Sequence, residues 1–322
     1  MERRVAVPVS MTAKLRAEER GRLTARAAMA SAFVASLLLL LKAAAAWRTG
    51  SASMLGSLAD TGLDLVASLI TLGGVKIAAL PADYDHRYGH GKAEAIAALF
   101  QVVLISVSAI GIAVHAVQQL SGGAATADAG YGIGVSTVAI VATFLLLAYQ
   151  RRVIAATGSV AIATDNVHYK SDLMLNLAVI AALAVDQYAG LRGADAVFGI
   201  AIAGWLLFGA WPASILAIDQ LMDKEWPDEK RDRFLAVVAQ HPELRGIHDL
   251  RTRTSGARDF VQFQVWVDKD LSMFEAHRIM DEVEDKLALS FPDVEILIHP
   301  EPEGHVGKAF RTAAGTPREE NA

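Results

Sequence analysis

Residues 57–70 read SLADTGLDLVASLI, an apolar helical stretch interrupted by Asp60 and Asp64. The two carboxylates are four positions apart, so on a helix they project from one face, one turn from each other. In a soluble helix they would be an ordinary polar stripe. In a membrane helix each would cost about 2.5–3.5 kcal/mol near the bilayer centre, and such residues mark ion pathways or binding sites. The rest of the chain decides between these readings.

Of the 322 residues, 53% are hydrophobic and 20% charged, more apolar than a soluble chain of this length requires. About 20 apolar residues cross a bilayer as a helix. Six segments have that length, at approximately 26–47, 52–79, 95–120, 131–150, 159–186 and 193–218. The second and fifth are the polar ones, so they are expected to face each other or water and not lipid. Lys and Arg concentrate in the leader of residues 1–25, in the 80–92 loop (Arg87, Lys92) and in an expected 150–157 loop (Arg151, Arg152). By the positive-inside rule, both termini are expected to be cytoplasmic. The basic leader lacks the apolar core of a signal peptide.

From about Asp223 the composition becomes that of a soluble domain. Pro227 in DKEWPDEKRDRF reads as a helix start. Then come strand-like HDLRTRTS, a turn at SGAR, the alternating FVQFQVWVD, a helix over about 272–290, and VEILIHP. This order predicts a two-layer αββαβ domain with helices on one face of a three-stranded sheet. The expected organisation is a leader at 1–25, a six-helix transmembrane domain at 26–218, an α+β domain at 219–301 and a tail at 302–322.

The fifth span carries a second i, i+4 pair, His168 and Asp172 in TDNVHYKSDLMLN. Together with Asp60 and Asp64 this gives three carboxylates and one imidazole from two helices, a four-ligand set suited to tetrahedral Zn²⁺. The chain has no cysteine, which excludes thiolate sites. The loop PADYDHRYGHGKAE holds a second cluster, Asp83, His86 and His90, of suitable type for a metal, although a surface loop with two histidines is often only a solvated turn. Asp165 and Asn166 read as interfacial polar residues, Lys42, Lys76 and Lys170 as snorkelling cations, and His115 and Asp186 as isolated polar groups without a metal role.

SLADTGLDLVASL, PADYDHRYGHGKAEAIAAL, HYKSD and LMDKEWPDE together resemble the cation diffusion facilitator family, within it the bacterial zinc, cadmium and iron efflux branch, over about residues 20–301. The resemblance implies a homodimeric antiporter in the bacterial cytoplasmic (inner) membrane, exporting a divalent metal in exchange for protons. It implies a transport site of Asp60, Asp64, His168 and Asp172, and a loop site of Asp83, His86 and His90. Histidine at position 168 implies preference for Zn²⁺ and Cd²⁺ over Mn²⁺. The family's C-terminal domain is metallochaperone-like and binds metal at the dimer interface. His248, His277 and His299 match its ligand positions and Glu301 stands where the nearest zinc members carry Asp, while Gln264 stands where relatives carry a further histidine, and an amide oxygen is a weak zinc ligand beside imidazole. Lys92 and Asp223 match a charge interlock that stabilises the dimer. Zn²⁺ is thus expected as cargo and as a regulatory ligand, lipid and protons as the other partners, and no organic cofactor or nucleic acid.

An enzyme, such as an intramembrane zinc hydrolase, would need an open metal position and a general base; no H-E-x-x-H is present. A membrane-anchored zinc sensor, with the C-terminal domain as detector, is the alternative of another class. It leaves the carboxylates of the second span without a purpose.

Overall fold

A computed structural model describes residues 9–49, 52–122, 130–189 and 194–304. Residues 1–8 and 305–322, which include parts of the expected leader and tail, lie outside them. Six long helices come first: α1 (Val9–Thr49), α2 (Ala52–Ala78), α3 (Ala93–Gly122), α4 (Gly130–Thr157), α5 (Val160–Ala189) and α6 (Ala194–Leu221). Among the described residues, five contain stretches long and apolar enough to cross a membrane, within Glu18–Arg48, Asp60–Ala78, Ala93–Gln118, Thr137–Thr157 and Ala196–Leu221. The other, α5, is also long enough at 30 residues but carries Asp165, His168, Lys170 and Asp172. Phe33, Leu40, Val107, Phe144, Phe208 and Trp211 are all exposed on these helices. Large side chains turned outward in such numbers suit a lipid surface and not water.

Small residues line the helix contacts: Ala27, Ala28, Ala95, Ala98, Ala109, Ala161 and Ala217 are all fully buried. Lipid tails are as apolar as leucine, so helix association in a bilayer depends on close backbone approach. Gly74 of α2 is one place where that approach is strict. A Cβ there would fall 2.4 Å from Ala97 Cβ on α3. Gly74→Val should therefore push α2 from α3 at an overpacking cost of about 1–3 kcal/mol, lowering the midpoint of thermal aggregation in detergent. An unchanged midpoint would show that the α2–α3 seam yields freely.

The basic stretch before residue 26 is helical from Val9, so α1 begins well ahead of its apolar part. One expectation is corrected here. The expected 150–157 loop is the last part of α4, because Gln, Arg and Ala are all good helix formers. The real connection to α5 is only Gly158, in the left-handed region at φ +62°, and Ser159. Thr157 Oγ1 binds Val153 O at 2.7 Å and accepts from Ser159 N at 3.3 Å, closing the helix end.

The chain divides into two compact units, one formed mainly by Lys14–Lys224 and the other mainly by the residues from Glu225 onward. The C-terminal elements are α7 (Asp228–Val238), β1 (Gly246–Ser255), β2 (Arg258–Val267), α8 (Met273–Ser290) and β3 (Val294–Pro302), the αββαβ order read from the sequence. The sheet order is β1-β2-β3. The two-residue connection makes β1 and β2 a hairpin, whereas β2 and β3 are parallel and need the crossover that α8 supplies. Asp228 and Glu229 in the first turn of α7 suit its dipole. Ser272 and Glu275 form a capping box on α8, and the hydrogen bonds from Ser272 hold the Glu275 carboxyl below its usual range. Phe234, Phe263, Ile279 and Leu287 are buried in one core with Val265 and Val283. Side chains of this size contribute about 1.5–3 kcal/mol each when fully buried, enough to give this unit a core of its own.

Candidate metal centres

Two rigid helices present the membrane cluster. Asp64 projects from α2, and His168 and Asp172 from consecutive turns of α5. His168 Nε2 lies 3.2 Å from Asp64 Oδ1 and 3.8 Å from Asp172 Oδ2. The three ligand atoms fall within 4.8 Å of one another. The imidazole is buried, and its Nε2 has no hydrogen-bond partner of acceptable geometry. A buried imidazole nitrogen held between two carboxylates with no well-formed hydrogen bond is a costly arrangement by itself. It suits a cation: about 2.0 Å bonds to a tetrahedral ion place ligand atoms about 3.3 Å apart. Asp60 is one turn away on α2 and exposed, and does not belong to this group of three.

Sequence reasoning missed the polar structure surrounding this cluster. Asp165, expected at the membrane interface, is fully buried. It accepts hydrogen bonds from Ser31 Oγ (2.6 Å), Gln150 Nε2 (2.7 Å) and Gln101 Nε2 (2.8 Å). Asn166, also expected at the interface, is buried and donates to Gln150 Oε1 at 3.0 Å. Lys42 does not simply snorkel: half-buried, it donates to Thr61 Oγ1 at 2.6 Å, between the two α2 carboxylates in sequence. Glu94 on α3 is buried and accepts from Ser159 Oγ at 2.6 Å, and Arg20 on α1 donates to the Thr157 carbonyl. Of the groups read as bland, His115 is exposed, and the side chain of Asp186 lies outside the described residues.

In the loop after α2, Asp83 Oδ1 is 3.3 Å from His86 Nδ1, and its Oδ2 is 3.3 Å from His90 Nε2. The imidazole rings sit 4.5 Å apart. Gly89, at φ +80°, turns the chain so that His90 comes back to Asp83. The backbone N–H of His86 donates to Asp83 Oδ1 at 2.6 Å and holds that carboxyl below the usual range. His90 Nδ1 is buried without a partner. The three ligand atoms lie within 4.8 Å of one another, as they do in the membrane cluster.

In the C-terminal domain, His248 Nε2 lies 3.2 Å from Glu301 Oε2, with its ring 4.6 Å from that of Trp266. His299 Nε2 is 4.0 Å from the other Glu301 oxygen. The register of β2 and β3 places Gln264 beside His299 and Trp266 beside Glu301. His277 does not join them; it is exposed on α8 near Asp281, at 3.8 Å. A further group of His241, Glu243 and Glu282 has the spacing of a metal site, but Arg278 already bonds both glutamates. Its hydrogen bond holds Glu282 below the ordinary carboxylate range. The guanidinium is the resident cation there. Lys92 Nζ meets Asp223 at 3.0 Å and the Leu221 carbonyl at 3.2 Å within one chain.

Two family models match the chain: the cation efflux transmembrane domain over residues 28–222 and the cation efflux protein cytoplasmic domain over residues 226–303. The cation-efflux pump FieF of Cronobacter sakazakii is 41% identical over 282 residues, covering 88% of this chain and 94% of that protein. The FieF of Serratia proteamaculans is 41% identical over 281 residues, covering 87% and 93%. Among solved structures, one described as the zinc form of a zinc transporter, CzrB, is 38% identical and covers 27% of this chain and 99% of its own, with a TM-score of 0.25. The metal-bound C-terminal domain of the CzcD transporter from Thermotoga maritima is 26% identical, covering 26% and 100%, with a TM-score of 0.24.

Proposed function

The chain belongs to the cation efflux family, the cation diffusion facilitators, and from that membership we propose that it is a proton-coupled exporter of Zn²⁺ that also carries Cd²⁺ and Fe²⁺. The observation that carries this reading is the buried His168 Nε2, without a hydrogen-bond partner and 3.2 and 3.8 Å from carboxylates on α2 and α5. Asp60 becomes the fourth ligand when cargo enters, since it shares a helix face with Asp64 at one-turn spacing. Four side chains then replace the hydration shell of the ion.

Binding requires a neutral imidazole and ionised carboxylates, so loading releases protons and protons compete the metal off. Imidazole is the side chain whose charge ordinarily changes near neutral pH, which makes His168 the proton carrier. With the site open to the cytoplasm the protein picks up Zn²⁺; with the site open to the other side, arriving protons eject it. The inner membrane of a bacterium, with both termini cytoplasmic, is the location consistent with the basic loops. The test is metal accumulation in proteoliposomes: uptake of Zn²⁺ and Cd²⁺ above that of empty vesicles is expected, and binding without movement would refute the transporter reading.

The loop triad of Asp83, His86 and His90 serves as a second metal site. His248, His299 and Glu301 form part of a third in the cytoplasmic domain, which dimerises with a second copy supplying the remaining contacts, His277 among the interface ligands. The Lys92–Asp223 pair stabilises that dimer by fixing the end of α6; as a half-exposed ion pair it contributes at most about 1 kcal/mol. Gln264 neighbours His299 in the sheet and leaves this third site short of one strong donor. Gln264→His in an Asp172→Ala background, which silences the transport site, should tighten cytoplasmic Zn²⁺ binding about tenfold in calorimetry. Equal affinity and stoichiometry would contradict the assignment.

A further inference from the structure

We infer that Asp165 is a positioning residue for the transport site: anchored by Ser31, Gln101 and Gln150, it sets the rotation and depth of α5 at which the His168 imidazole meets Asp64. The inference rests on the reading of His168 as a cargo ligand.

Asp165, His168, Tyr169 and Asp172 follow i, i+3, i+4, i+7 spacing and so share one face of α5. The residues flanking His168 on that face are tied to other helices. Asp165 accepts from α1 through Ser31, from α3 through Gln101 and from α4 through Gln150. Gln150 also donates to Ser31 Oγ at 3.0 Å. Tyr169 OH donates to the Ser31 carbonyl at 3.0 Å and lies 2.8 Å from Ser68 Oγ of α2. Every one of these side chains is buried. A buried carboxylate is tolerated only when its lone pairs are satisfied, so α5 is held where all three donors reach Asp165 together.

Small departures from that position matter. Side-chain tips lie about 5–6 Å from a helix axis, so turning α5 by about 20° moves the imidazole by about 2 Å. Sites of this kind need their groups within about 0.5 Å. None of the donors touches the metal ligands by a described hydrogen bond, so they act on the site only through α5.

The same contacts separate a positioning role from a need for charge. Gln101 Oε1 is buried without a partner. In Asp165→Asn the new amide oxygen can keep Ser31 and Gln150, while Gln101 turns its amide and accepts from the new NH₂ group. The geometry survives without the charge. Asp165→Leu has no such solution and releases three donors at once.

The experiment is Zn²⁺ titration of the full chain in detergent, in a His86→Ala/His248→Ala background that weakens the loop and cytoplasmic sites. Asp165→Leu should raise the Kd of the membrane site at least tenfold, and Asp165→Asn should stay within about threefold of its parent. General misfolding would lower the number of sites titrated and leave the Kd of the remainder unchanged. Should Asp165→Leu yield no folded protein, Gln101→Leu, which removes one donor of three, is expected to raise Kd several-fold. Loss in the Asn variant equal to that in the Leu variant overturns positioning in favour of charge, and an unchanged Kd in Asp165→Leu or Gln101→Leu overturns it outright. If the parent itself binds no Zn²⁺ at this site, the ligand reading of His168 falls, and the inference falls with it.

Discussion

Asp172→Ala, and separately Asp64→Ala, is expected to abolish zinc transport, with at least a hundredfold loss of initial rate at limiting Zn²⁺. Each of these carboxylates lies within 4 Å of the buried His168 Nε2, and with either removed only two of the three converging groups remain. Changing even an outer partner of a metal ligand typically costs 10–100-fold in affinity or activity, and loss of a ligand itself should exceed that. Both side chains are only partly buried, at 22% and 25% exposure, so truncation opens no large cavity and the bundle should stay folded. Initial rates in proteoliposomes, normalised to the monodisperse protein recovered, separate lost chemistry from lost protein. A rate within threefold of the parent in either variant would remove that residue from the ligand set.

His168→Asp is expected to change the preferred cargo and leave transport intact. Imidazole favours zinc among the first-row divalent ions, whereas carboxylate oxygens suit Mn²⁺. An all-carboxylate site should lose on the order of tenfold or more in its preference for Zn²⁺ over Mn²⁺, gain Mn²⁺ transport, and shift in pH dependence because the imidazole proton carrier is gone. Competition between Zn²⁺ and Mn²⁺ at several pH values reads both effects. An unchanged preference with an unchanged pH profile would mean that His168 neither binds the metal nor carries the proton.

The features legible in the sequence were those with short-range periodicity. The i, i+4 spacing of His168 and Asp172 fixes their common face whatever the rest of the chain does, and the second and fifth spans stand out because lipid penalises their charges. The αββαβ order could be read from alternation in FVQFQVWVD and from the helical pattern before VEILIHP. The polar network around Asp165 could not. Its donors Ser31 and Gln101 lie 134 and 64 residues away in sequence, each a polar residue flanked by apolar neighbours in its helix, and near an expected span end an aspartate looks merely interfacial. Lys42 was misread for the same reason, since its partner Thr61 is on another helix. Arg151 and Arg152 suggested a loop because charge marks span ends, but the helix continues through them to Thr157. Packing between helices, and not periodicity along one, places these groups.

The most direct test of the account is zinc flux into proteoliposomes under an imposed pH gradient, with the parent protein compared with Asp60→Ala and Asp172→Ala. The account predicts that zinc accumulates against its own gradient when protons can flow the other way, that collapsing the pH gradient stops accumulation, and that both substitutions abolish it. Zinc movement indifferent to the pH gradient, or persisting in both substituted proteins, would contradict the claim that protons and metal compete for one carboxylate and imidazole site.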